Sequence, residues 1–290
     1  MVGWIVFNGA LKYNKTETLV NKLIDDATKE NIELIKVKNN EILAISPNKL
    51  LKLKNLKEPN FILFWDKDIK LCKHLEFMGY KVFNNHKAIK VCDNKGLMHL
   101  KFNEKNVPTP KTILGPYVYH SQVLGDKYIQ KIFSELGTPF VLKECYGSFG
   151  MGVYLVNSKL EFLNIVHNLK NKEFIIQKFI KESRGMDIRV NIIGNEVIGA
   201  IKRTSKDDFR ANITLGGVGT PYNLSKEEAD LALLAHKSLG LDFSGVDLLF
   251  GENGPIICEV NSNVNFLSFE KATGINFGKK LLEHILKNIM

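Results

Sequence analysis

Apolar side chains recur along the first part of the chain in two rhythms. Val2–Phe7 and Phe61–Trp65 are compact apolar runs, while Ile32–Val37 and Tyr80–Phe83 are shorter β-rich ones. Between them, the stretch from Thr16 to Asn31 sets Leu19, Val20, Leu23, Ile24 and Ala27 on one helical face. Ile69 to Met78 reads as a second helix, ended by Gly79. Strand–helix–strand alternation predicts a parallel, doubly wound sheet with helices on its faces. No GxGxxG follows the first strand, so this unit carries no dinucleotide fingerprint and reads as a support or substrate domain.

The texture then changes. Asn94–Asn106 can form a helix that Val107-Pro-Thr-Pro110 ends, because a residue before proline is pushed out of the α region. Tyr128–Leu136 is helical and is stopped by Gly137 and Pro139. Strands Phe140–Glu144 and Gly152–Val156 flank a glycine-rich stretch, followed by a helix over Ser158–Leu169 and a strand over Phe174–Ile180. From Asp187 the pattern becomes antiparallel. Ile188–Ile193 and Val197–Lys202 flank the turn pair Gly194-Asn195, and Val246–Phe250 and Pro255–Val260 flank a second Gly- and Asn-containing turn. Ser225–Leu239 is a helix whose Ser225 and Glu228 match a capping box, and a last helix runs from Asn276 to Asn288. Three units are expected: 1–92, 93–180 and 181–290, an α/β and α+β multidomain chain.

Composition narrows the classes. At 290 residues, 44% hydrophobic and 24% charged, the chain has the balance of a soluble globular protein and not of a disordered or fibrous one. No apolar run approaches the roughly 20 residues that span a bilayer, and the start reads as a strand rather than a signal peptide. Cys72, Cys92, Cys145 and Cys258 form no CxxC pair, which argues against a zinc site or disulfide framework and for a reducing cytoplasm. The net charge of +9 is spread along the chain without a basic block interleaved with aromatics. That disfavours a nucleic-acid surface and suits an anionic ligand.

Three groups of residues carry candidate chemistry. In PFVLKECYGSFGMGVYLV a strand delivers Lys143, and a loop with Gly147, Ser148, Gly150 and Gly152 returns the chain. Glycines let backbone amides approach an oligophosphate, and the lysine supplies a point charge. In GVDLLF…IICEVN, Glu259 and Asn261 are two apart and share a strand face, with Asp247 brought alongside by the Gly251–Gly254 turn. Two carboxylates and an amide oxygen make a hard, all-oxygen set suited to Mg²⁺. Lys202, Arg203 and Arg210 in IKRTSKDDFRAN supply cations for phosphate or carboxylate.

Taken in order, the segments CDNKGLMHLKFNEKNVPTPKT, PFVLKECYGSFGMGVYLV, QKFIKESRGMDIRV, KRTSKDDFRAN and GVDLLF…EVN…FEKATGINFGKK resemble the ATP-grasp superfamily, and within it the RimK-type carboxylate–amine ligases that include LysX-like enzymes. The resemblance spans roughly residues 92–285 and implies an ATP-grasp fold behind a parallel αβ pre-ATP-grasp domain. It implies an ATP-dependent ligase that forms an amide through an acyl phosphate, adding glutamate or another amino acid to an amine acceptor. The alternatives are a kinase on the same scaffold and a non-catalytic ATP-binding regulator. Carried over residue by residue, it places Lys95 and Lys143 on ATP phosphates and the backbone of Gln177, Lys178, Phe179 and Ile180 on adenine. It places Asp187 near the ribose, Arg210 and Asn212 at the transferred phosphate, Arg203 at the substrate carboxylate or acyl intermediate, and Asp247, Glu259 and Asn261 on Mg²⁺, or Mn²⁺ in its place. His99 and His120 find no role. The chain departs from the pattern after Asn261, reading Ser-Asn-Val-Asn-Phe266 instead of a tight Ala-Ser-Pro-Gly turn, so the acceptor could be a small amine, a peptide or a carrier-protein tail. A homodimer or homotetramer is the assembly the family suggests, with no membrane partner.

Overall fold

The computed structural model of the chain describes residues 1–10, 14–46, 49–119, 124–148, 150–169, 171–213 and 216–289. Its N-terminal part runs β1 (Val2–Phe7), α1 (Asn14–Lys29), β2 (Glu33–Lys38), β3 (Ile42–Ile45), β4 (Lys49–Lys52), β5 (Phe61–Trp65), α2 (Ile69–Phe77), β6 (Val82–Phe83), α3 (His86–Asp93) and α4 (Lys95–Glu104). Strands β2-β1-β5-β6 form a parallel sheet, as the alternation predicts. Every residue of β5 is buried, as a strand covered on both faces must be. One face packs on α1 and the other on α2. The β3–β4 hairpin and α3 were not foreseen; α3 is an eight-residue helix capped by Asn85, whose side chain accepts from Ala88 N at 3.0 Å.

The central part contains β7 (Thr112–Leu114), α5 (Asp126–Leu136), β8 (Phe140–Glu144), β9 (Val153–Val156), α6 (Lys159–Asn168) and β10 (Phe174–Lys178). Its sheet, β7-β10-β8-β9, is antiparallel, and α5 and α6 pack on one face through Ile129, Ile132, Phe162 and Val166. The C-terminal part contains β11 (Met186–Ile193), β12 (Glu196–Thr204), β13 (Val218–Tyr222), α7 (Lys226–Leu239), β14 (Phe243–Gly251), β15 (Gly254–Asn261), α8 (Leu267–Thr273) and α9 (Phe277–Ile289). Its five strands run β13-β12-β11-β14-β15, all antiparallel. Ser225 and Glu228 close the expected capping box at the start of α7. Gly194 takes φ +56° in the link from β11 to β12, a conformation in which a Cβ would also meet the His284 ring.

The N- and C-terminal parts share one core. Ile5, Phe61, Leu63 and Trp65 meet Phe243, Phe266, Phe277 and Leu281, with Trp65 stacked on Phe243 at 5.0 Å and Phe266 on Phe277 at 5.0 Å. The fully buried Asn84 ties the same parts together. Its Oδ1 accepts from Asp242 N and Phe243 N, and its Nδ2 donates to Phe243 O and Ser262 O. An amide left unsatisfied there would cost about 1–3 kcal/mol, so the four bonds fix how the parallel sheet sits on the antiparallel one. Among the described residues no helix is long and apolar enough to cross a membrane.

Candidate active site

The central and C-terminal sheets face each other across a cleft. From the central side come Lys95 at the start of α4, Lys143 on β8, the loop residues Gly147, Ser148 and Gly150, and the strand end Gln177, Lys178, Phe179 and Ile180. From the other side come Asp187, Arg203, Arg210, Asn212, Asp247 and Glu259. Of the candidate ligand-binding residues singled out in the sequence, Gly152, Lys202 and Asn261 are not in its wall; the Lys202 ammonium lies over the Phe250 ring instead. Gly152 sits at φ +70° where a Cβ would meet Glu144 at 2.9 Å, so its part is to turn the chain from the loop into β9.

On the central wall the charges stand alone. Lys143 is 8% exposed, and its Nζ meets Cys258 Sγ at 3.4 Å. Lys95, 7% exposed, donates to the Gly147 carbonyl at 3.4 Å. Among the described residues neither has a carboxylate within ion-pair distance. Burial pushes the Cys258 thiol up to about 11 despite Lys143, so the sulfur stays a thiol and cannot neutralise the ammonium. Gln177 is buried with its Nε2 shared between Thr112 Oγ1 and His99 Nε2, each at 2.9 Å. Lys178 N is already engaged by Lys111 O. His99 is thus a satisfied core histidine, held neutral down to about 3 by burial and then by the nearby Lys143 and Lys95. His120 lies outside the described residues.

On the opposite wall the charges are paired. Asp247 and Glu259 are direct cross-strand partners, and Asn261 lies two pairs further along, opposite Gly245. Arg189 grips Asp247 through Nε and Nη2, and Arg203 grips Asp187 with two bonds of 2.6 Å while its Nη2 also lies 3.0 Å from Asp247. Burial would raise the Asp247 carboxyl, but Arg189 and Arg203 outweigh it and hold the group below the ordinary range. Burial wins at Asp187, raising it against the pull of Arg203. Arg203 therefore reaches the cleft with its guanidinium engaged by two carboxylates, which alters what can be asked of it.

Two contacts across the cleft escaped the sequence reading. Arg210, held by Asp208 at 2.7 Å, donates its Nη1 to the Gly150 carbonyl and so ties the glycine loop to the C-terminal part. Lys67, at the end of β5, pairs with Asp93 and donates to Ser148 Oγ at 3.0 Å, tying the same loop to the N-terminal sheet. A lysine just after a parallel strand was a readable signal, since such sheets bind at their carboxyl ends.

The donor set fits a hard divalent cation only in part by itself. Among the described residues no three His, Cys, Asp or Glu side chains gather into a metal nest. Asp247 and Glu259 could offer carboxylate oxygens and Asn261 an amide oxygen to a hard cation such as Mg²⁺, with the rest of its shell left to ligand and water.

The sequence profile of the RimK-like ATP-grasp domain matches residues 87–285. The chain is 34% identical to human N-acetylaspartylglutamate synthase A, over 76% of this chain and 56% of that protein, so it spans little more than half of that relative. It is 35% identical to a probable alpha-L-glutamate ligase of Legionella pneumophila, over 74% of this chain and 70% of that one. The solved D-alanine–D-alanine ligase of Bacillus anthracis complexed with ATP covers 100% of this chain and 97% of its own, with a TM-score of 0.77 at 20% identity, a likeness of fold.

Proposed function

The chain belongs to the RimK-like ATP-grasp family of ATP-dependent carboxylate–amine ligases, and from that premise we propose that it joins two amino-acid-like substrates by an amide bond, with glutamate as one of them. The names of the two relatives support glutamate. The observation that carries the reading is the single cleft in which unpaired buried lysines face a cross-strand carboxylate pair.

A carboxylate does not acylate an amine near neutral pH because oxide is not a viable leaving group. Phosphorylation by ATP turns it into an acyl phosphate, from which the amine displaces phosphate. In this reading Lys95, Lys143 and the amides of the glycine loop bind the oligophosphate and disperse the charge that builds on the phosphoryl group. The Gln177–Ile180 strand end seats the base, Asp187 the ribose, and Arg210 and Asn212 flank the transferring group. Asp247, Glu259 and Asn261 would hold Mg²⁺, with Mn²⁺ as substitute; the ion would neutralise phosphate charge. Arg210 and Lys67 hold the loop from opposite sides, which keeps water from an intermediate that would otherwise hydrolyse. Four free cysteines support a cytoplasmic location. The substrates are small molecules or a peptide end, and residues 1–92, 93–180 and 181–290 are the three units of the enzyme.

The test is a phosphate-release screen with ATP, magnesium and pairs of amino acids, followed by mass measurement of the condensed product. Glu259→Gln should abolish turnover while nucleotide binding partly survives. Unchanged turnover in that variant would remove Glu259 from the site.

A further inference from the structure

Asn191 lies on β11 on the same face as Asp187 and Arg189, since Ile188, Val190 and Ile192 fill the opposite core. It is wholly buried, and neither its Nδ2 nor its Oδ1 has a hydrogen-bond partner. An amide left so costs on the order of 1–3 kcal/mol, and such exceptions in native proteins point to a water, ion or ligand. The register explains the lack of a partner. Asn191 pairs with Gly199 on one side and Gly245 on the other, so neither neighbouring strand offers it a side chain. Beyond Gly245 the same row ends at Asn261.

This row lies one step along the sheet from the Arg189–Asp247–Glu259 row, on the side away from Asp187 and Arg203. Arg189 gives Nε and Nη2 to Asp247, while Nη1 hangs over Gly245, 3.2 Å from where a Cβ would stand. A cationic N–H donor, an unsatisfied amide and the Asn261 amide therefore border one glycine floor. Asn263, just past β15, adds a second buried and unpartnered amide oxygen.

Resting on the ligase reading above, we propose that the Asn191–Gly245–Asn261 row seats the carboxylate that is to be activated. The ligand class is a carboxylate with a neighbouring N–H, as in an α-amino acid or its N-acyl derivative. Its carboxylate meets Arg189 Nη1 and Asn191 Nδ2, and its N–H meets Asn191 Oδ1. The order of rows supports this. The Asp187–Arg203 row comes first, the carboxylate pair next, and an in-line acceptor must lie beyond the phosphate that the pair flanks. Arg189, Asn191, Gly245 and Asn261 do not line the cleft, so the ligand would enter across Gly245 only as the Arg189 side chain over it moves aside. A glycine at 245 is thus required twice, to admit that side chain and to leave Asn191 in reach.

Asn191→Leu removes the unsatisfied amide while keeping the same number and branching of side-chain heavy atoms. A purely structural Asn191 predicts equal or higher stability with unaltered kinetics. The subsite predicts a KM for the carboxylate substrate at least tenfold higher, with Mg–ATP affinity by calorimetry and thermal midpoint both maintained. Crystals of the full chain soaked with Mg–ADP and L-glutamate should show a carboxylate between Asn191 and Arg189. An ordered water there with and without glutamate, or a KM that does not move, overturns the subsite. Failure of the ligase reading would appear separately, as wild-type protein that binds Mg–ATP yet condenses no carboxylate with an amine; the soaked crystal still decides the subsite.

Discussion

The two walls of the cleft solve the problem of buried charge in opposite ways. On the central wall Lys95 and Lys143 are sunk to 7% and 8% exposure against a carbonyl and a thiol, with no carboxylate among the described residues to offset them. On the C-terminal wall Arg189, Arg203, Asp187 and Asp247 neutralise one another at hydrogen-bond distance. A lone buried ammonium is costly to keep, and a protein tolerates it where an anion is due to arrive. A closed ion network leaves an uncompensated charge when any member is removed. Removing a cation should therefore be a structural lesion on the C-terminal wall and a functional one on the central wall.

Arg203→Ala is the strongest way to break that contrast. From the sequence, loss of activity well ahead of loss of stability is expected for this residue. Its bonds to Asp187 and Asp247 reverse the order, because two buried carboxylates would lose their shared cation. Unfolding by urea should show a loss of about 3–5 kcal/mol, and Arg203→Lys should not restore it, since one ammonium cannot match the bidentate grip. A loss below about 1 kcal/mol would mean that the network is not what holds this wall.

Lys143→Met tests the other wall. The methionine keeps most of the volume and removes an unpaired buried charge, so stability should hold or rise. Turnover should fall by at least about 10²-fold, the scale of removing one preorganised donor from a transition state. Urea titration beside a steady-state assay separates the two. An unfolding loss as large as that of Arg203→Ala would erase the difference between the walls.

What could be read in the sequence follows from what is local. That Asp247 comes near Glu259 was legible from the short turn, but their direct pairing was not: the register beside the turn would set Asp247 opposite Cys258, and an irregularity between Asp247 and Leu248 moves it opposite Glu259. The parallel sheet was legible from its alternation, and the capping box at Ser225 from four residues. The β13 strand was not. Its sequence Val218-Gly-Thr-Pro-Tyr222 carries a proline that only an edge position tolerates, and β13 is the edge of its sheet. Helix α8 was missed because seven residues ended by Gly274 at φ +73° give too little periodicity. The engagement of Arg203 was invisible for a different reason. Asp187 and Arg189 meet Arg203 and Asp247 only through pairings among three strands, and no spacing along the chain encodes which arginine takes which carboxylate.

The smallest effect sharpens the comparison from behind the walls. Each wall backs onto a buried histidine: His99, bonded to Gln177, and His236, whose Nδ1 lies 2.7 Å from Ser244 Oγ. Burial, aided at His99 by Lys143 and Lys95, lowers them from 6.5 to about 3 and about 4. Both stay neutral in the fold while the unfolded chain takes up protons below pH 6.5, so each contributes stability that is present above that pH and declines as pH falls towards 4. At pH 5 the loss is about 2 kcal/mol per histidine. Urea titrations at pH 7 and pH 5 should therefore show a shallower acid loss in His99→Gln and in His236→Asn than in the wild type, by similar amounts. The paired carboxylates of the C-terminal wall add nothing comparable in this range at Asp247, which its arginines keep ionised. If the two variants kept the full wild-type loss, acid sensitivity would have to come from the ion network itself, and the C-terminal wall could no longer be regarded as the closed one.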